Sequence, residues 1–203
     1  MKIIVATAML LMSTIVTPAQ AQRTDAPALL SRAASSVFVT QIGEINRASV
    51  EQSGGRNQTI VRQSGDRNTA TVRTAGTDNT LRATATLDQS GTANSASATQ
   101  SGQGALTLAM IQRGTGNSMT ANQTGAGATS NAVMMQIGTG NNATLTQSGN
   151  DNQAILKQVG NDNAMTTTQL GDRNTLVWQQ QGNNLPDLQI TQYGGASASI
   201  TQR

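Results

Sequence analysis

Several of the residues that most enzymes depend on are missing from this chain of 203 residues. It has no cysteine and no histidine, one tryptophan, one tyrosine and one phenylalanine, and only 11% charged residues. Without Cys and His, metal sites of the usual kinds and catalysis by His or Cys are excluded. The lack of Cys also means that an exported chain would need some stabiliser other than disulfides. With aromatics at 1% and apolar residues at 36%, an ordinary globular core is not expected. Charge is unevenly spread, and between Ala83 and Asn150 only Asp88 and Arg113 are charged. Such a tract lacks the gatekeeper charges that restrain β-aggregation. Long apolar runs are also missing. The longest, Ile3–Val16, has 14 residues, against about 20 for a bilayer span.

What the chain does have is a repeat, which governs every other reading. Its clearest copies lie between Gln136 and Gln180, as QIGTGNNATLT, QSGNDNQAILK, QVGNDNAMTTT and QLGDRNTLVWQ. The unit has 11 residues, Q-x-G-x-x-N and five more. Its glycine recurs at Gly43, Gly54, Gly65, Gly76, Gly91, Gly102, Gly114, Gly125, Gly138, Gly149, Gly160, Gly171, Gly182 and Gly194. Nine of the thirteen spacings are 11 residues, and the others are 12, 12, 13 and 15. Gln stands two places before thirteen of the fourteen glycines, Thr74 being the exception, and Asn stands three places after ten of them.

Q-x-G-x-x-N is turn chemistry, because Gly accepts positive φ and Asn tolerates left-handed backbone. The five residues that follow alternate with period two, which signals a strand. A strand of six or seven residues and a turn of four or five fill one unit, and two units close one coil of 22. Coils stacked about 4.8 Å apart form two facing parallel sheets, so the expected fold is all-β, a parallel β-solenoid of about seven two-strand coils.

Alternation turns the Asn and the closing Gln inward, with the second and fourth residues between them. The inward pairs are Ala48/Val50, Thr59/Val61, Ala70/Val72, Ala96/Ala98, Met119/Ala121, Ala143/Leu145, Ala154/Leu156 and Met165/Thr167. Trp178, beside Leu176, is large for so thin a core and marks either a local widening or a change of parity. The spacing of 15 after Gly76 tests the pattern. Four added residues keep the parity, and Asn79, Leu81, Ala83, Ala85, Leu87 and Gln89 should all face inward. Ile111 and Met135 extend an outward column on the odd-numbered strands: Phe38, Ile60, Thr86, Ala109, Val133, Ile155, Val177 and Ser199. The even-numbered strands show Ser49, Thr71, Ser97, Thr120, Thr144, Thr166 and Gln189 in the corresponding column. One face is mostly apolar and the other mostly hydroxyl. Phe38, Ile60, Ala109, Ile111, Val133, Met135, Ile155 and Val177 are therefore expected to form a lateral interface.

Residues 1–21 read as a secretory signal, with Lys2, the apolar run, Pro18 and the box Ala19-Gln20-Ala21. The mature chain would start at Gln22, carry no transmembrane anchor and be exported. Residues 22–34 carry no repeat and read as an N-terminal arm, and 35–203 as the solenoid, with fifteen strands. Nothing after Gln202 except Arg203 is available to cover the last coil. Eight Arg lie between Arg23 and Arg82, but without interleaved aromatics they do not argue for nucleic acid. Carboxylates alone could serve as glycosidase acid and base, but the acids here sit mainly in turns (Glu44, Asp66, Asp78, Asp151, Asp162, Asp172) and read as turn-forming, solubilising residues. The chain is not expected to be an enzyme or to hold a cofactor or metal.

QIGEINRASVEQ, QIGTGNNATLTQ and QSGNDNQAILKQ resemble the repeat of curlin, the subunit family of bacterial curli amyloid fibres, and the likeness runs from Ser35 to Arg203. The ending ITQYG to ASITQR and the turns Gly65-Asp66-Arg67 and Gly171-Asp172-Arg173 are similar to the minor, nucleator-type curlin. The near absence of Tyr and Phe departs from major curlin. The resemblance implies a secreted subunit or nucleator of cell-surface fibres for adhesion and biofilm, made by a Gram-negative bacterium. Its partners would be further copies of itself, a second curlin subunit and an outer-membrane export machine.

The resemblance also implies stacking ladders. These would be built from Gln41, Asn46, Gln52, Asn57, Gln63, Asn68, Asn79, Gln89, Asn94, Gln100, Gln112, Asn117, Gln123, Gln136, Asn141, Gln147, Asn152, Gln158, Asn163, Gln169, Asn174, Gln180, Gln192 and Gln202. The alternative from another class is a monomeric ice- or carbohydrate-binding β-solenoid, motivated by Thr-x-Thr at Thr69/Thr71, Thr84/Thr86 and Thr144/Thr146.

Overall fold

The computed structural model describes residues 3–8, 15–16, 35–76 and 82–203. Within these the chain winds as a parallel β-solenoid. The first sheet holds β3 (Ser36–Ile42), β5 (Gln58–Asp66), β7 (Thr84–Thr92), β9 (Leu106–Thr115), β11 (Ser130–Thr139), β13 (Gln153–Asn161), β15 (Thr175–Gln181) and β17 (Ser197–Gln202), stacked in that order. The second holds β4 (Arg47–Ser53), β6 (Thr69–Gly76), β8 (Ser95–Gly102), β10 (Ser118–Gly125), β12 (Asn142–Ser148), β14 (Ala164–Leu170) and β16 (Leu188–Tyr193). Two further strands, β1 (Ile3–Ala8) and β2 (Ile15–Val16), lie antiparallel on β3 and β4 at the start of the stack. They fall in the segment read as the secretory signal. The arm 22–34 lies outside the described residues.

Every pair from β3 onward is parallel and in register with the repeat. Ala143, for example, lies between Met119 and Met165, and Gln147 between Gln123 and Gln169. Parity survives the irregular spacings. Ala83, Ala85, Leu87 and Gln89 are all buried after the insertion, while Asn79 and Leu81 lie outside the described residues. Leu106, Leu108, Met110 and Gln112 on β9, and Ser130, Ala132, Met134 and Gln136 on β11, are also buried, the residues added by the spacings of 12 and 13 being taken up in the turns before these strands.

The core is one column of small and medium apolar side chains between the sheets, from Val37 to Trp178. Val39, Ala198 and Ile200 pack against it at the two ends. Trp178 keeps the inward parity. It is fully buried, in register with Leu156 below and Ile200 above. Its indole N–H donates to Gln202 Oε1 at 3.1 Å, so its one polar atom is satisfied, as burial requires.

The turns differ from the sequence expectation in one respect. The left-handed residue paired with the glycine is not the Asn but the residue before it: Ile45, Arg56, Arg67, Ala93, Asp151, Asp162 and Arg173, and likewise Asn184 before Leu185, all have φ between 50° and 62°. Gly116 and Gly140 take that place in two other turns, at φ 64° and 65°. The Asn is held inward instead, because its amide is needed by carbonyls inside the turn. Asn57 Nδ2 donates to Ser53 O at 2.8 Å, and Asn174 Nδ2 to Leu170 O at 3.0 Å.

Gly76, Gly125 and Gly194 also differ from the other eleven marker glycines, since their φ is not positive. The last of these turns shifts its left-handed residue to Gly195, at φ 76°. Where φ is positive, stacking adds a second demand for glycine. A Cβ on Gly43, Gly65, Gly91, Gly114, Gly138 or Gly160 would overlap the carbonyl oxygen of the marker glycine one coil on.

Candidate functional site: the amide ladders and the two outer faces

The inward Gln and Asn have a definite bonding direction. Along the first sheet, Gln41, Gln63, Gln89, Gln112, Gln136, Gln158 and Gln180 each donate from Nε2 to the Oε1 of the Gln one coil on, at 2.6 to 3.1 Å, and the chain of bonds ends at Gln202. Their carboxamides are buried, which is tolerable because from Gln63 to Gln180 both ends of each amide are paired. In the second sheet, Gln100, Gln123, Gln147 and Gln169 make the same bond toward Gln192, at 2.7 to 2.9 Å.

Gln52 is cut off from that second ladder. Thr74 stands above it, and Gln52 Nε2 donates to Thr59 Oγ1 instead, at 2.7 Å. A hydroxyl cannot carry the ladder in both directions at amide length. Thr74 Oγ1 and Gln100 Oε1, on either side of the break, are buried without partners.

The Asn ladders run in the opposite sense. On the edge that follows the odd strands, Asn68, Asn94, Asn117, Asn141 and Asn163 each donate from Nδ2 to the Oδ1 of the Asn one coil earlier, at 3.0 to 3.1 Å. Among the described residues of the other edge, only Asn152 and Asn174 are joined, at 3.0 Å. Ser130 stands before them and takes the Asn152 N–H at 3.3 Å. Asn46 anchors the first ladder, and the predicted ladder residue Asn79 lies outside the described residues. Of the predicted ladder residues, then, the structure links most but divides the second Gln column and the second Asn column.

Sequence reasoning missed that Leu185 and Ala196 close the Asn columns. Their backbone N–H groups donate to Asn163 Oδ1 and Asn174 Oδ1 at 3.0 and 3.2 Å. The departure from Asn at those two positions was a readable signal. It also missed the side chains that bridge the turns of successive coils, where Asp66 Oδ1 accepts from Glu44 N at 2.8 Å and Asp172 Oδ1 from Asn150 N at 2.7 Å. These bonds give the turn carboxylates a structural role between coils.

The outer columns fall as the alternation implies. Phe38, Ile60, Thr86, Ala109, Val133, Ile155, Val177 and Ser199 are successive register partners on one face. Val133 and Ile155 are its exposed large members, and Ile111 and Met135 flank it, half-buried. The other face carries Ser49, Thr71, Ser97, Thr120, Thr144, Thr166 and Gln189 in register. Among the described residues the outer edges of β16 and β17 have no strand partner. No group of His, Cys, Asp and Glu there is arranged to hold a metal ion, and no helix is long and apolar enough to cross a membrane.

No curated protein and no solved structure matches this chain. One stretch of it has a family counterpart: residues 130–160, spanning β11, β12 and most of β13 with Gln136, Asn141, Gln147, Asn152 and Gln158, match the model of the curlin associated repeat.

Proposed function

We propose that this chain is a secreted, curlin-type subunit or nucleator of an extracellular amyloid fibre serving surface adhesion and biofilm, and that it acts by templating. The observation that carries this reading is the end of the stack. Among the described residues the edges of β16 and β17 have no strand partner, and an unpaired edge is a template for another strand. The curlin repeat at 130–160 gives the coils of β11 to β13 a counterpart in a fibre-forming family. In this reading the Gln and Asn ladders continue from one copy into the next, and the turn glycines keep the coils close enough to do so. The export machine and a second subunit are the partners that the family likeness suggests.

The apolar column, with Val133 and Ile155 most exposed, is the proposed lateral interface toward a second filament or a partner subunit. A mostly apolar column about 34 Å long, interrupted by Thr86 and ending at Ser199, is large for a soluble monomer. The hydroxyl column opposite it favours a second reading, a monomeric ice- or carbohydrate-binding module.

Seeded growth separates the two. The chain from Gln22 onward should elongate pre-formed seeds without a lag in thioflavin fluorescence, and deletion of Gln192–Arg203 should slow that elongation at least tenfold. A chain that remains monomeric beside its own seeds, with fluorescence flat, would support the binding module instead.

A further inference from the structure

Among the described residues the solenoid from β3 to β17 contains an odd number of strands, fifteen, and this sets how a second copy can continue it. The two sheets are built by one repeated operation. Gln52 on β4 donates to Ser36 O at the start of β3, and Gln63 on β5 donates to Arg47 O at the start of β4. The same bond recurs up the stack to Gln192 with Thr175 O and Gln202 with Pro186 O. Each strand is thus related to the one before it by half a coil. That is a half-turn with an advance of about 2.4 Å, given strands about 4.8 Å apart in each sheet.

From this we infer that copies of the chain join end to end with a half-turn between them, so that the first sheet of one copy continues as the second sheet of the next. This rests on the fibre-subunit reading above and on removal of residues 1–21, since β1 and β2 occupy the edges of β3 and β4. After β17 the next half-coil position lies over β16, in the second sheet. An incoming β3 placed there leaves no gap, and its β4 then falls over β17. Copies stacked without the half-turn would put β3 over β17 and leave one strand position empty between β16 and the incoming β4. Both edges of that gap would keep unpaired backbone groups.

The polarity of the ladders favours the half-turn. Wherever the ladder is unbroken, a Gln takes its Oε1 hydrogen bond from the Gln one coil earlier, and Gln52 is the first side chain of the second-sheet column. Its Oε1 is buried and has no donor. With the half-turn, Gln202 of the preceding copy lies directly under Gln52, and its Nε2 is the donor that is lacking. Gln192 in turn lies under Gln41. Without the half-turn, Gln202 lies under Gln41, the position beneath Gln52 is empty, and the orphan remains. One consequence is that the apolar column changes sides at every junction, about every 36 Å.

Cysteine pairs decide the matter, because the chain has no cysteine of its own. Register places Thr40 over Thr191 if there is a half-turn and over Thr201 if there is none, since Thr40, Thr191 and Thr201 each precede the closing Gln of their strands. In-register neighbours are about 4.8 Å apart, inside the 4.4–6.8 Å that a disulfide spans. Within one copy both pairs are separated by about 30 Å or more of stacked strands, so any bond is between copies.

Fibres grown under oxidising conditions from the chain starting at Gln22 should become a ladder of covalent multimers in non-reducing denaturing gels for T40C/T191C. T40C/T201C should stay monomeric, as should T40C alone, which controls for lateral pairing. Multimers from T40C/T201C, or fibres in which neither double variant cross-links above T40C, would overturn the half-turn while leaving the fibre reading intact. Absence of fibres from the unsubstituted chain would remove the fibre reading and this inference with it.

Discussion

Thr74 is the register partner of Gln52, yet no side-chain hydrogen bond joins them, and the second-sheet amide ladder breaks between these two residues. The break leaves Thr74 Oγ1 and Gln100 Oε1 buried without partners. A small cleft lined by Asn57, Gly76, Ala83 and Gln100 lies beside it. Thr74→Gln should restore the column, taking the Gln52 amide on its Oε1 and donating to Gln100. An orphaned buried polar group costs about 1–3 kcal/mol, so the variant should raise the unfolding free energy by about that much in denaturant titration.

The turn glycines should fall into two classes. At Gly149, φ is 116° and a Cβ would overlap the carbonyl oxygen of Gly171 one coil on. At Gly116, φ is 64° and nothing lies within 4 Å of the added carbon. Gly116→Ala therefore carries only the left-handed penalty, about 1–2 kcal/mol. Gly149→Ala adds a backbone clash between coils and should cost at least about 3 kcal/mol. The two losses, measured by the same titration, should differ clearly.

These two predictions also mark how far the sequence could be read. The period-two pattern was enough to place Ala143 and Leu145 inward and Thr144 outward, because a one-residue slip would expose the whole column. It carried through the insertion before Ala83, since four residues preserve parity. It did not reveal the left-handed residue before each Asn. Arg56, Ala93 and Asp162 occupy that place, and local propensity alone would not choose Arg or Ala for it; the stacked turn imposes it. Trp178 was likewise ambiguous, because its fit depends on Gln202 one coil away and not on its neighbours in sequence. The direction of the ladders is a property of three-dimensional hydrogen bonding that a list of Gln and Asn positions does not contain.

Charge pairing on the outer face should matter little. Arg73 and Glu51 meet at 3.1 Å, but their side chains are 63% and 47% exposed. Arg62 and Asp88, the other pair that the register brings together, are partners across β5 and β7. Exposed cross-strand pairs contribute about 0.2–1 kcal/mol. A double-mutant cycle on E51Q and R73Q should give a coupling within that range, and it should shrink as salt is added. A coupling of several kcal/mol would mean that the pair is far less solvated than its exposure implies.

Sorting of the outer columns leads to a prediction about bundling. Changing Ile60, Val133, Ile155 and Val177 together to Thr keeps β-branched residues at outward positions and should leave folding of the subunit intact. It should abolish lateral association of filaments, seen as single filaments instead of bundles in electron micrographs. Bundles of normal width from the quadruple variant would show that the apolar face is not the lateral interface.

The central claim, that stacked coils of this chain propagate from copy to copy, is tested most directly by X-ray diffraction from aligned fibres grown from the chain starting at Gln22. Continuation of the parallel sheets across junctions requires a sharp meridional reflection at about 4.7–4.8 Å and an equatorial one near about 10 Å. A preparation that stays monomeric, or that forms aggregates lacking the meridional reflection, would contradict it.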